Sequence, residues 1–366
     1  MNKYCTKNGE FAQFSIHLKK NHMKETLSSI AERTGYSVPT VSRVLNGQAE
    51  KYRISRKAQE LILAEASRCN YSPNVIARHL RTNRSNTIGL VLPSVANPYF
   101  ADLSSSIISE ANTHGYTTIV TDSFEDVENQ KANVAMLLAR RVDGIIAAPC
   151  GDNPELFEEI YKSDIPIILV DRFFKDSILP YVTTNNYSGG KMATNYLIRN
   201  GHRNIACIQG ANTSVPNNRR VDGYIDALRN IGSHGKAIVT GNEFSLQNGY
   251  RETKELLKQV PRPTAILALS NTIGLGVIKA IREEGLRIPE DISLVSYDNN
   301  IYMDYLIPSI TRVSQPVEDM ARHAARLLFE SIERKKPLNT QTEFSPDLII
   351  RESVKNILSD RVSLDI

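Results

Sequence analysis

The sequence has 366 residues, which is long enough for two or three domains with large cores of their own. Its hydrophobic fraction of 41% and charged fraction of 23% are ordinary for globular proteins and exclude wholesale disorder. The net charge of +4 is unevenly distributed: residues 1–85 contain 15 Lys or Arg against 6 Asp or Glu (+9), and the remainder contains 29 against 34 (−5), which suggests a polyanionic partner for the N-terminal part.

Residues 1–22 show neither helical nor strand periodicity. Either they form a disordered basic leader, or Met23 is the true start of translation; we favour the second alternative. They contain no apolar core of a secretory signal. The longest apolar run of the chain, residues 165–170, is also far shorter than the roughly 18 residues that span a bilayer.

The cysteines carry no zinc-binding signature, since none lies in a Cys-x-x-Cys pair or near a histidine at zinc-ligand spacing. We therefore expect reduced thiols in a cytoplasmic protein that holds no metal and no other cofactor. The cysteines are Cys5, Cys69, Cys150 and Cys207.

Three short helical patterns follow the leader. Gly35 is suited to end the first helix, and Ser37 is suited to cap the second. The pair Asn46-Gly47 ends the second helix, and Ser55 caps a third. Two short helices joined by a tight glycine turn and covered by a third predict a helix-turn-helix domain over residues 23–71.

A short amphipathic segment lies in the next stretch, residues 72–86, which we interpret as a hinge. Its apolar face consists of Ile76, Ala77 and Leu80 and covers barely two helical turns. Such a segment should be mostly unfolded when it is alone in water, because helix nucleation is costly.

From Thr87 onward, short apolar strands alternate with amphipathic helices, which predicts parallel sheets with right-handed crossovers. The strands are too numerous for one sheet, and a second series begins near residues 183–187. Two such sheets place a ligand cleft between them, at the carboxyl ends of the strands. The predicted strands are 88–92, 117–120, 144–148, 167–170, 205–208, 265–269 and 292–296. The predicted helices are 104–113, 128–140, 189–199, 218–230, 246–258, 272–284 and 317–333.

The stretch from Leu27 to Gly47, LSSIAERTGYSVPTVSRVLNG, resembles the headpiece of LacI/GalR-type bacterial transcription regulators, and its second half is very specific. The resemblance runs from about Met23 to Glu352. Motifs that recur at the expected spacing are Tyr71-Ser-Pro-Asn74, Asn97-Pro-Tyr-Phe100, Arg141-Val-Asp-Gly144, Val170-Asp-Arg172, Gly201-His-Arg-Asn-Ile205, Arg262-Pro-Thr-Ala265, Ser296-Tyr-Asp-Asn299 and Gln315-Pro316.

The resemblance implies an all-α helix-turn-helix domain, a hinge helix and an α/β core of two Rossmann-like subdomains, similar to type I periplasmic binding proteins. In the core, 87–352, the N-subdomain would hold about 87–184 and 314–340. The C-subdomain would hold about 185–313 and 341–352, leaving a tail, 353–366. The resemblance further implies a homodimer, or a tetramer, that binds a pseudopalindromic double-stranded DNA operator under the control of a small-molecule effector, a sugar or sugar derivative.

The second helix supplies the predicted DNA contacts. Arg43 is the natural base reader, because a guanidinium can bind guanine O6 and N7 together. Val38 and Pro39 offer only apolar contact, for instance with a thymine methyl group. Contacts that position the protein on phosphates are expected from Ser37, Thr40, Ser42 and Asn46.

The hinge supplies a second set of contacts. In a dimer, two hinges would pack Ile76 and Ala77 together, and Leu80 would wedge between base pairs and open the minor groove, as a leucine does at this position in the family. Arg78 and Arg81 would contact the minor groove and the phosphates. This insertion predicts a flexible pyrimidine–purine step at the operator centre; a disordered linker is the alternative.

The predicted effector contacts lie at strand ends. Phe100 matches a family position that stacks on the ligand, Arg220 matches the cleft arginine, and Asp298 matches a carboxylate that accepts from ligand hydroxyls. The alternative for each is a buried structural partner. The weaker candidates are Asp171, Phe244 and Asn271.

Two sets of residues limit what the resemblance implies about the effector site. Asp171 and its neighbour Arg172 are the residues most expected to act structurally, as an ion pair or a strand-end cap. Ser94 and Asn271-Thr272 depart from the residues that are usual in the family, so the effector's polar pattern should differ from that of the commonest pentoses and hexoses.

Other classes of function lack support in the sequence. It contains no G-x-S-x-G, H-E-x-x-H or P-loop motif, and Gly274-x-Gly276 lacks the third glycine of a dinucleotide site, so we expect no catalytic residues and no enzyme. The runner-up is a global regulator of the same fold with a protein corepressor. A sugar-binding protein without a DNA role is a remoter alternative, and the headpiece argues against it.

Overall fold

The structure, a computed structural model, describes residues 25–69, 71, 84–229 and 237–358. The chain divides into two units, Met1–Asn83 and Arg84–Ile366. The predicted leader and most of the predicted hinge lie outside the described residues. Within those ranges, no helix is long and apolar enough to cross a membrane.

The first unit is the predicted helix-turn-helix, and its helix ends are set by local capping. Ser37 Oγ accepts a hydrogen bond from the Thr40 N–H, and Ser55 Oγ accepts one from the Ala58 N–H, so both predicted N-caps are confirmed. Gly35 ends the first helix in the left-handed region, at φ 73°. The helices are α1 (Leu27–Thr34), α2 (Val38–Leu45) and α3 (Arg56–Arg68).

The second unit alternates strands and helices, as the sequence predicts. Its strands, among the described residues, are β1 (Thr87–Leu92), β2 (Thr117–Asp122), β3 (Gly144–Ala147), β4 (Ile167–Val170), β5 (Tyr181–Thr184), β6 (Ile205–Ile208), β7 (Ile238–Thr240), β8 (Ala265–Ala268), β9 (Ser293–Tyr297), β10 (Thr311–Ser314), β11 (Gln341–Phe344) and β12 (Asp347–Ile349). Its α-helices are α4 (Pro98–Thr113), α5 (Val127–Ala139), α6 (Glu155–Lys162), α7 (Asn186–Arg199), α8 (Val215–Arg229), α9 (Leu246–Leu257), α10 (Asn271–Glu283) and α11 (Val317–Arg334).

The strands form two sheets, each the centre of one subdomain. The first sheet has the order β11-β5-β4-β3-β1-β2, and its neighbouring strands are parallel. The second has the order β12-β10-β9-β8-β6-β7 and is parallel except for the pair β10–β12. Strands β3, β4 and β8 are buried along their whole length, which is why they form uninterrupted apolar runs in the sequence. The predicted fold is confirmed.

The chain passes between the two sheets three times, after β5, after β10 and after β11. The third passage differs from the prediction, which placed 341–352 in the second subdomain. Gln341–Phe344 pairs with β5 of the first sheet, and only Asp347–Ile349 joins the second. The sequence does not show this division, because β11 and β12 are short and contain only exposed and half-buried residues.

The segment after Glu352 is not a free tail, at least as far as residue 358. Ser353 is fully buried; its Oγ donates to the Leu294 carbonyl at 2.6 Å and accepts from the Thr311 N–H at 2.8 Å. The Ile357 N–H donates to the Asn200 carbonyl at 2.9 Å. The predicted tail therefore begins later than residue 353, since these contacts join the segment to the second subdomain.

His202 also holds this C-terminal segment. Its ring nitrogens lie 3.0 Å from Thr264 Oγ1 and 3.1 Å from the Lys355 carbonyl oxygen, and burial lowers the pKa of the imidazole. As the pH falls, the His202 ring is protonated at a higher pH in the unfolded chain than in the folded chain. The stability that neutral His202 contributes is therefore complete above a pH of about 6.5 and falls as the pH drops below it. We expect His202→Gln to lose less stability than the unmodified protein between about pH 7.5 and about pH 5.5. Urea midpoints at each pH measure this, and parallel pH profiles would contradict it.

Candidate functional site

Helix α2 separates the predicted base readers from the core of the first unit. Val41 and Val44 are buried against the other two helices. Val38, Pro39 and Arg43 are exposed on the opposite side, where a docked duplex could reach them. The predicted readers therefore share one accessible face.

The predicted phosphate partners are partly engaged within the helix. Ser37 Oγ lies 2.9 Å from Thr40 Oγ1, in addition to its capping bond. Asn46 Nδ2 donates to the Ser42 carbonyl at 2.6 Å and lies 3.3 Å from Ser42 Oγ. These bonds fix the two ends of α2, and the DNA contacts of the four residues stay predictions.

Sequence reasoning missed several exposed residues in the loop after α2 and at the start of α3. The Arg43 guanidinium carbon lies 3.9 Å from the centre of the Tyr52 ring. Exposed basic side chains also follow α2, and the positive charge of residues 1–85 is the signal that could have found them. They are Lys51, Arg53, Arg56 and Lys57.

The hinge residues predicted to contact DNA lie outside the described residues, so their minor-groove contacts stay predictions. The residues concerned are Ile76, Ala77, Arg78, Leu80 and Arg81.

The second candidate site lies between the two sheets, at the carboxyl ends of their strands. Asp171 directly follows β4 and Asp298 directly follows β9, and both adopt the left-handed conformation, at φ 62° and φ 71°. The Tyr99 hydroxyl donates to Asp171 Oδ1 at 2.7 Å, and Gln315 Nε2 donates to Asp298 Oδ1 at 2.8 Å. Each subdomain thus contributes one buried carboxyl group.

Arg220, on α8, acts electrostatically on both carboxyl groups. It is only 4% exposed; its Nε donates to Asn186 Oδ1 and its Nη1 donates to the Leu269 carbonyl, each at 2.7 Å. Burial raises the pKa of Asp171 and of Asp298, and the positive charge of Arg220 opposes both increases. A ligand with hydroxyl groups would find donors and acceptors held close together in a low-dielectric setting.

Arg172 lies near the ring of Phe100, on which the resemblance predicts the ligand to stack and which is only 3% exposed. Its guanidinium carbon lies 5.6 Å from the Phe100 ring centre and 5.2 Å from the Phe244 ring centre. Of the two structural roles expected for Asp171 and Arg172, the ion pair does not form, because Arg172 pairs instead with Glu125, at 2.6 and 2.7 Å. The other role, at a strand end, is compatible with the position of Asp171 directly after β4. Glu125 gave no signal in the sequence; its loop turns through two successive left-handed residues, Phe124 and Glu125.

Asn271 links the two subdomains. Its Nδ2 donates to Asn97 Oδ1 at 3.0 Å and to Asn300 Oδ1 at 2.6 Å, and Asn300 Nδ2 donates to Asp102 Oδ2 at 3.1 Å. In this conformation Asn271 has the structural role that was the alternative for it. A contact between Asn271 and an effector would have to break this link.

A cavity of about 290 Å³ opens beside Arg172, and a second of about 470 Å³ shares Phe173 and Val215 with it. Their combined size lies in the range of small-molecule sites, roughly 300–1,000 Å³. Both aromatic and polar residues line the first cavity, which suits a sugar. Residues that line the first cavity include Glu125, Arg172, Phe173, Thr213, Asn242 and Phe244.

Comparison with known proteins agrees with this geometry. Residues 26–74 match the bacterial regulatory proteins of the lacI family, and residues 194–354 match the periplasmic binding protein-like domain. The chain is 32% identical over 331 residues to the ribose operon repressor of Halalkalibacterium halodurans, covering 90% of this chain and 97% of that protein.

Two solved structures are similar over long stretches. One is a lac repressor dimer bound to operator and the anti-inducer ONPF, with a TM-score of 0.81 and 26% identity, covering 90% of this chain and 99% of that one. The other is a regulator from Enterococcus faecium with bound ribose, with a TM-score of 0.68 and 28% identity, covering 74% of this chain and 99% of that one.

Proposed function

Because the chain belongs to the LacI family of bacterial regulatory proteins, we propose that it is a transcription repressor that binds a pseudopalindromic operator as a dimer. A small molecule in the core cleft, a sugar or sugar derivative, controls that binding. The observation that carries the proposal is the outward face of α2, where Val38, Pro39 and Arg43 are exposed within a helix-turn-helix.

The charge of the first unit supports DNA as the partner. The exposed basic residues after α2 are suited to phosphates, and each phosphate neutralised releases counterions, so binding should weaken as salt rises. The similar lac repressor structure is a dimer on operator DNA, and a dimer that reads two half-sites requires a two-fold symmetric sequence.

The cleft supports a sugar as the effector. Asp171 and Asp298 place carboxyl groups at strand ends, Arg220 on α8 acts electrostatically on both, and Phe244 lines the first cavity. The similar structure from Enterococcus faecium holds ribose, and the relative from Halalkalibacterium halodurans is a ribose operon repressor. The protein would act in the cytoplasm, where its operator is, and would release its ligand chemically unchanged.

The DNA part is tested by incubating the purified full chain with sheared genomic DNA and sequencing the bound fragments at two salt concentrations. We expect one or a few pseudopalindromes with a central pyrimidine–purine step, near genes for sugar uptake or glycan degradation. Many dispersed sites would favour the global regulator. Salt-labile binding without a shared sequence would contradict sequence-specific recognition.

The effector part is tested by thermal unfolding of the full chain with a panel of sugars and sugar derivatives that includes ribose, glucose, galactose and cellobiose. A ligand that binds only the folded cleft raises the unfolding temperature in a concentration-dependent way. We expect one member of the panel to do so and the others to have little effect. An equal response to every member would contradict a specific cleft.

A further inference from the structure

The loop between α2 and α3 places an aromatic ring against the predicted base reader. The Arg43 guanidinium carbon lies 3.9 Å from the centre of the Tyr52 ring, the separation of a close cation–π contact. Within the described residues Arg43 makes no ion pair, and both side chains are exposed. The contact therefore occupies one face of the guanidinium and leaves the hydrogens along its edge available.

Tyr52 is held in place by the backbone of its loop. The Gln48 N–H donates to the Arg43 carbonyl at 2.9 Å, and the Tyr52 N–H donates to the Gln48 carbonyl at 3.3 Å. Ala49 is buried in the core of the first unit, and its carbonyl accepts from the Ile54 N–H at 2.9 Å. These bonds connect the loop directly to the end of α2.

We propose that Tyr52 is a positioning residue for base reading: its ring holds the guanidinium face of Arg43 so that the edge points at a guanine. The proposal rests on the proposed function, since it requires α2 to lie in the major groove. Bidentate binding uses the in-plane N–H groups of arginine, which stacking leaves free. A long flexible side chain that is already restrained also loses less conformational freedom when it meets the base.

The expected effect follows from the strength of exposed cation–π contacts, which corresponds to about a 2- to 5-fold change in affinity at each half-site. An operator that binds two subunits would then lose about 5- to 30-fold on removal of both rings. The loss should be confined to sequences that carry the guanine, because Tyr52 acts through Arg43.

The experiment selects duplexes from a randomised DNA library with the full chain, in four forms: unmodified, Tyr52→Ala, Tyr52→Phe and Lys51→Ala. We expect Tyr52→Ala to weaken the preference for guanine at one position of each half-site and to leave the other positions unchanged. Tyr52→Phe keeps the ring and should restore that preference. Lys51→Ala removes a neighbouring exposed charge and should lower affinity for all sequences alike.

Three results would overturn the proposed role of Tyr52 and leave the proposed function standing. In the first, Tyr52→Phe behaves like Tyr52→Ala, so that the hydroxyl group and not the ring matters. In the second, Tyr52→Ala weakens all sequences equally, as a phosphate contact would. In the third, Tyr52→Ala retains the guanine preference. If the unmodified chain itself enriches no sequence, the proposed function fails first.

Discussion

Replacing Arg43 with alanine is expected to lower operator affinity by about 30- to 10⁴-fold while changing the affinity for random DNA only slightly. A bidentate arginine–guanine pair contributes about 1–3 kcal/mol of discrimination, and a dimer makes two such pairs. Arg43 is placed for this role because it projects from the exposed face of α2, opposite the buried Val41 and Val44. Anisotropy titrations of the selected operator and of a scrambled duplex measure the two affinities.

Lys57→Ala is the matched control for this prediction. Lys57 is an exposed basic residue in the first turn of α3, and its removal should weaken both duplexes to the same extent and reduce the salt dependence. If Arg43→Ala also weakens both duplexes equally, Arg43 contacts phosphate and does not read a base.

Arg220→Met is expected to leave operator binding intact and to remove the response to the effector. A hydrogen bond to a charged group contributes about 1.5–3 kcal/mol. If the effector loses one or two such bonds to Arg220, the sugar concentration needed for operator release should rise at least 10-fold. The substitution also removes the positive charge that opposes the raised pKa of Asp171 and Asp298, which favours their neutral forms and weakens them as acceptors. Operator release as a function of sugar concentration measures the response.

Arg229→Met provides the control, because Arg229 is on the same helix but exposed, and it lines neither of the two cavities. This variant should release the operator at the same sugar concentration as the unmodified protein does. Arg220→Lys keeps a buried charge and serves as the second variant should Arg220→Met unfold, since the methionine leaves Asn186 Oδ1 and the Leu269 carbonyl without a donor. A response of Arg220→Met at the ordinary concentration would exclude Arg220 from the effector site.

The parts of the fold that depend on local chemistry are predictable from the sequence. Gly35, Ser37 and Ser55 set helix ends by their own backbone conformation or side-chain oxygen, so the three helices of the first unit follow from a few residues. The buried parallel strands are equally visible, because both faces of strands such as β4 must be apolar. Strands β5 and β11, which are no shorter than β4, were missed because polar side chains make up at least half of each strand.

The cleft was less predictable, because its contacts join distant parts of the chain. Arg172 meets Glu125 across 47 positions of sequence, and that pairing depends on a loop with two left-handed residues. The family resemblance identifies Phe100 and Phe244 as candidates but does not show that Arg172 lies near both rings. The contact of Arg43 with Tyr52 is likewise a product of loop geometry and has no periodic signal.

The contacts between the subdomains bear on how an effector could act. Asn271 of the second subdomain bonds to Asn97 of the first, and Asn300 bonds to Asp102. A ligand that binds better to one relative orientation of the subdomains shifts the population toward it, in proportion to its difference in affinity for the two. These bonds are among those that such a change would make or break.

Control of DNA binding by the cleft is tested by the dissociation constant of the full chain for the selected operator, determined with and without the sugar that raises the unfolding temperature. We expect the sugar to change this constant by about 5- to 150-fold, and linkage requires the operator to change the dissociation constant of the sugar by the same factor. An operator affinity that is the same with the cleft empty and with it saturated would show that the cleft does not control DNA binding.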